Sequence, residues 1–222
     1  MRGTLIVSIL ALCVSLSAAQ EPFLLSFDSG LAAGVAEPLE AAQVTLVASE
    51  QGQAAEFGPF SRLAYAPPPF LTEGFDIRLC VRHEQSLPDL HYREIVYLYH
   101  ETPDGKNRLC LQKRGGTDYI LFSMSDGTGR AKGAAFAGNW FALKSPPLQW
   151  PAGTWHELRL IADRVRGQAA LYVDGAPVVA AEGTQFPQAL GDRLWLGSLA
   201  GRSGLQGRID DVSILPVEGE GR

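Results

Sequence analysis

Ala169-Ala170-Leu171-Tyr172-Val173-Asp174-Gly175 is the stretch that decides the fold class. Alternating apolar residues run into Asp-Gly, the pair that best tolerates the positive φ values of a two-residue hairpin turn, and residues 177–181 return from it. Immediately upstream, residues 155–162 alternate in the same way. Further out, Phe75-Asp76-Ile77-Arg78-Leu79-Cys80-Val81-Arg82 reads as a strand with Phe75, Ile77, Leu79 and Val81 facing inward. Residues 94–100, 108–112 and 119–125 repeat the period, the last with Ile120, Phe122 and Met124 on one face. Residues 193–196 and 208–215 complete the series. Residues 127–153 read as irregular, and residues 41–55 fit either a strand or a short helix. Ten or more strands punctuated by Gly and Pro, with no helices between them, predict an all-β, antiparallel two-sheet sandwich.

The chain has 222 residues, 46% of them apolar and 19% charged, which suffices for a core and argues against disorder. A net charge of −5 provides no basic excess for a nucleic-acid partner. Arg2, the apolar run at residues 5–16 and the small residues Ser17-Ala18-Ala19 have the layout of a cleavable signal peptide over 1–19. The run is too short for a membrane span, which needs about 20 apolar residues. The expected product is a domain of residues 20–222, secreted or periplasmic. Cleavage would leave two cysteines, Cys80 and Cys110, which either close a disulfide or stay as two buried thiols.

Four groups of residues carry a family resemblance. Leu24-Leu25-Ser26-Phe27-Asp28 resembles an opening strand, and Ala54-Ala55-Glu56-Phe57-Gly58 with Leu63-Ala64-Tyr65 a second block. Phe75-Asp76-Ile77-Arg78-Leu79-Cys80-Val81 resembles a third, the strand that usually carries a tryptophan where Cys80 stands, and Gly153-Thr154-Trp155-His156-Glu157-Leu158 with Leu171-Tyr172-Val173-Asp174-Gly175 opens the fourth. Leu194-Trp195-Leu196-Gly197 and Gly207-Arg208-Ile209-Asp210-Asp211-Val212-Ser213-Ile214 close the pattern. In this order they resemble the laminin-G-like branch of the concanavalin A-like lectin/glucanase superfamily. The resemblance implies a jelly-roll sandwich whose closing strand lies against its opening strand. It also implies calcium as a candidate cofactor, with Asp28 and Asp211 as the residues to watch.

Glucanases of that superfamily place alternate carboxylates on one strand face; here Glu73/Asp76 and Asp210/Asp211 have the wrong parity. Ser203-Gly204 lacks a nucleophile elbow, and His83, His91, His100 and His156 lack metal spacing. Tyr92-Arg93-Glu94 with His100 is the nearest thing to a lyase group. The expectation is therefore a non-catalytic module that binds a glycan or an extracellular protein. A structural envelope module, or a divergent polysaccharide lyase or glycoside hydrolase, is the alternative. Aromatic faces and planar polar groups suit sugars, so Tyr97, Tyr99, Arg78, Arg108 and Gln112 are candidate contacts on an outer sheet face. Trp140 joins them from the long segment 136–150, read as a loop.

Overall fold

The computed structural model describes residues 21–32, 34, 36–50, 52–90, 94–128, 140–198 and 204–217. The expected signal peptide lies outside them. Regular structure among the described residues is strand, apart from one 3-10 turn at Pro69–Thr72. No helix there is long and apolar enough to cross a membrane. The strands are β1 (Phe23–Leu25), β2 (Glu40–Ser49), β3 (Gly52–Tyr65), β4 (Gly74–His83), β5 (Ile95–Glu101), β6 (Asn107–Lys113) and β7 (Ile120–Asp126). They continue with β8 (Trp140–Lys144), β9 (Trp155–Asp163), β10 (Gln168–Val173), β11 (Ala176–Glu182), β12 (Leu194–Leu196) and β13 (Gly207–Pro216). Residues 41–55 therefore form strands, not a helix, and β8 emerges from a segment expected to be irregular. Its period shows in Phe141 and Leu143, which are buried between Trp140, Ala142 and Lys144.

Pairing is antiparallel in the order β11-β10-β9-β4-β13-β3-β12-β5-β6-β7-β8, with β1 added to β13 and β2 to β3. The path nearly closes on itself, since β8 at one end contacts β10 and β11 at the other. Phe75, Ile77, Leu79 and Val81 of β4 are fully buried, as are Ile120, Phe122 and Met124 of β7. The two sets meet in one core: the Phe75 ring stands edge-on to Phe122 at 6.3 Å and to Phe186 at 5.8 Å. At the β10–β11 hairpin, Asp174 and Gly175 have φ of 50° and 76°, the primed turn read from the sequence.

Two strands change neighbours partway along. β13 pairs β3 through Gly207 to Ile209 and β1 through Val212 to Ile214. Between them it bulges, with Asp211 at φ 47°. β3 pairs β13 early and β12 late, and residues 58–61 hump out between, opposite Gln43 of β2. Ser61 Oγ fastens the hump, accepting from the Gly58 N–H and donating to the Gln43 carbonyl.

Buried histidines tie the elements together. His100 accepts the Gly191 N–H at Nε2 (3.1 Å), so its Nδ1 carries the proton donated to the Arg193 carbonyl (2.9 Å). His83 Nε2 lies 3.0 Å from the Tyr97 hydroxyl, with Trp150 against the ring. Burial, and then the charges of His156 and Lys113, push the His83 imidazole down to about 4.

Two outcomes follow for stability. A Cβ on Gly207 would lie 2.0 Å from the Arg82 carbonyl oxygen and 3.1 Å from the His83 Cα, both backbone. Gly207→Ala should cost about 3 kcal/mol in denaturant unfolding. Gly183→Ala, at φ 80° with open space around it, should cost only about 1 kcal/mol. His83 is neutral in the fold, so its contribution is complete above the unfolded value of 6.5 and is lost as pH falls toward about 4. Unfolding free energy measured from pH 7 to 4 should fall in the native protein by up to about 3 kcal/mol more than in His83→Gln. Equal slopes would contradict the assignment.

Candidate functional site

β6 presents its residues alternately. Leu109 and Leu111 enter the main core, while Arg108, Cys110 and Gln112 point away from it. The register carries that outer face across the neighbouring strands in three rows: Arg108–Ser125–Trp140, Cys110–Ser123–Ala142 and Gln112–Leu121–Lys144. A cleft of about 430 Å³ lies over these rows, lined by Arg108, Gln112, Leu121, Ser123 and Trp140, with Glu94, Arg114 and Gly115 at its margin. Its size falls in the range of about 300–1,000 Å³ usual for small-ligand sites.

Beside the cleft on the same sheet face lies a second apolar cluster, separate from the main core: Ala64, Val96, Tyr99, Cys110 and Trp195. The Arg108 guanidinium lies between two rings, its carbon 5.1 Å from the Tyr99 centroid and 5.6 Å from that of Trp140. Arg193 covers Trp195 at 5.5 Å. The Cys110 thiol donates to Gln112 Oε1 at 3.2 Å, which orients the amide. Burial pushes that thiol up to about 12, so it stays protonated and is no nucleophile. Burial likewise raises the Tyr99 hydroxyl. Among the described residues Glu94 is the one carboxylate lining the cleft.

Four expected contacts therefore share one face: Arg108, Gln112 and Trp140 line the cleft, and Tyr99 lies against Arg108. Two do not. Tyr97 is fully buried in the main core because β5 is irregular there: Val96 faces Gln112 but Leu98 faces Leu111, so Tyr97 is an extra residue. That bulge breaks the parity that would have put Tyr97 and Tyr99 on one face. Arg78 sits on β4, far along the pairing order, and binds Asp76 at 3.2 Å. Arg159 clamps the same carboxylate at 2.7 Å. Burial works to raise Asp76, but hydrogen bonds and charge from the two arginines hold it below the usual carboxylate range. Trp195 was missed, although its place between Leu194 and Leu196 marks it as facing away from them. Ser123, alternating with Phe122 and Met124, carried the same signal.

A larger hollow, about 630 Å³, lies over β1, β13, β4 and β9, with Arg78, Cys80, Glu157 and Asp211 in its wall. The β13 bulge corrects a second parity expectation: Asp210 and Asp211 line one small cavity together rather than facing opposite sides. Asp210 is buried and accepts from Ser49 Oγ and the Asp211 N–H. Burial, with the nearby charges of Asp211 and Asp28, raises its pKa. Asp28 accepts the Gln53 N–H at 2.8 Å. Among the described residues no three His, Cys, Asp or Glu side chains gather as a metal site. Cys80 and Cys110 are free thiols, not a disulfide. Both point away from the main core, from strands well separated in the pairing order. Of the lyase group, Tyr92 and Arg93 lie outside the described residues, as does His91. His100 is turned inward and held by backbone groups. His156 stacks on Trp150 at 4.3 Å and binds Asp174 at 2.8 Å.

The geometry agrees with comparisons to known proteins. Solved structures with the same fold include domain 4 of AbnA, a GH43 extracellular arabinanase from Geobacillus stearothermophilus, in complex with arabinotriose. It shares 15% identity at a TM-score of 0.65, over 86% of this chain and 90% of that one. The botulinum neurotoxin serotype G binding domain gives 12% identity and a TM-score of 0.66, over 89% of this chain. The binding domain of Paraclostridial Mosquitocidal Protein 1 gives 11% and 0.65, over 87%. The chain spans about half the length of both toxin domains, 48% in each case. No curated protein matches the sequence. Residues 96–218, from β5 through β13, match the laminin G-type model of the concanavalin A-like lectin/glucanases superfamily, and the chain belongs to that superfamily.

Proposed function

We propose that this protein is a non-catalytic glycan-binding module that works outside the cytoplasm. In this reading, residues 1–19 are removed on export and residues 20–222 form one domain. The pairing path folds over into two stacked layers of jelly-roll type, which the contact of Phe75 on β4 with Phe122 on β7 supports. The glycan lies in the cleft over β6, β7 and β8.

The observation that carries the proposal is the stack of Tyr99, Arg108 and Trp140 beside the oriented amide of Gln112. Sugar rings offer C–H faces to aromatic rings and hydroxyls to planar donors and acceptors. The arabinotriose complex of the similar arabinanase domain supports a saccharide over other small ligands. A single lining carboxylate among the described residues, Glu94, supports binding over hydrolysis, which uses two acids across the scissile bond.

On a glycan array and in titration with the best-bound glycan, Trp140→Ala should lose about tenfold or more in affinity while keeping the native circular dichroism. Tyr97→Phe should bind like the native protein and lose about 1 kcal/mol of stability with its buried hydroxyl. A folded Trp140→Ala that binds unchanged would refute the site. Expression with the leader intact should yield an exported product whose N-terminal residue is Gln20; retention of residues 1–19 would refute the export reading.

A further inference from the structure

We propose that the cleft selects saccharides bearing a carboxylate, that is uronic-acid units, with Arg108 as the residue that reads the acid group. The inference rests on the glycan-binding reading above and adds the charge of the ligand. The protein as a whole carries −5, yet among the described residues the cleft is lined by two arginines, Arg108 and Arg114, against one acid, Glu94. Six other arginines, at 62, 78, 159, 166, 193 and 208, each hold a carboxylate of the chain within 4 Å. Among the described residues Arg108 has no such partner, and its Nε is shut away from solvent with no acceptor.

Arg82, Arg114 and Arg164 likewise have no carboxylate partner among the described residues, but of these four only Arg108 and Arg114 line the cleft, and only Arg108 also lies against aromatic rings there. Arg108 is also held in place: its guanidinium carbon lies over the rings of both Tyr99 and Trp140, which limits its side-chain freedom, and a guanidinium offers a planar fork of N–H groups to two carboxylate oxygens. Little side-chain freedom then remains to be lost on binding. The same rings, with Gln112 and Ser123 alongside, favour a sugar acid over an acidic peptide: they supply flat apolar faces and hydroxyl partners that a run of Asp or Glu would not use.

The test is calorimetric titration of the full chain with a panel of uronate trisaccharides of differing linkage. Alongside run the same sugars with the carboxyl reduced to hydroxymethyl, and an oligo-glutamate peptide. The best uronate should bind at least about tenfold more tightly than its reduced form and weaken between about 20 and 300 mM salt. Arg108→Gln should erase the gap between acid and reduced sugar. Arg108→Lys, which keeps the charge but not the fork, should retain part of it. Circular dichroism confirms that each variant is folded. Equal binding of acid and reduced sugars, both lost in Trp140→Ala, would overturn the charge selectivity and leave the glycan-binding reading standing. Binding of neither panel, or tighter binding of oligo-glutamate, would overturn both.

Discussion

Everything in this architecture depends on two strands that each serve two neighbours in succession along one edge. β13 passes from β3 to β1, and β3 passes from β13 to β12. A flat strand cannot do this, because its hydrogen-bonding edge points one way. The chain solves the problem by inserting residues where the neighbour changes: the bulge at Asp210 and Asp211 in β13, and the hump at residues 58–61 in β3. The approach of neighbouring backbones is close enough at Gly207 that no side chain fits there. Gly197 has the same role against the Phe57 ring, 2.5 Å from where a Cβ would stand.

The bulges also divide the apolar residues between two clusters. The main core takes one face of nearly every strand, and the smaller cluster beside the cleft takes the other face of β3, β12, β5 and β6. Without the extra residue at Tyr97, β5 could not send Tyr97 inward to His83 and Tyr99 outward to Arg108. One irregularity thus places Tyr97 in the core and the Tyr99 ring against the arginine that lines the cleft.

The regular part of the fold was legible because period-two alternation is a direct consequence of strand geometry. Phe75, Ile77, Leu79 and Val81 could be assigned to the core from sequence, and Asp174-Gly175 to its turn. Arg108, Gln112 and Tyr99 could be placed on an outer face for the same reason, and Trp140 found by its aromatic character. Parity reasoning failed where the register slipped. No residue type announces the bulge at Tyr97, since it forms only when β5 pairs β6. The same holds for Asp210 and Asp211. β8 was hidden by its short length and its Pro-rich flank, and Arg78 drew attention through its charge although its partner, Asp76, lay only two residues away.

The irregularity in β2 has a consequence for the company the molecule keeps. Among the described strands β2 pairs β3 alone, so its far edge, ten residues long, has no strand beside it there, and such an edge is the template on which sheets polymerise into fibres. Gln43, held at φ 54° opposite the hump, interrupts that edge after three residues. A visiting strand in register with residues 44–49 is thrown out of register at Gln43. The feature that lets β3 bend therefore also breaks the regular run of backbone groups that such addition requires.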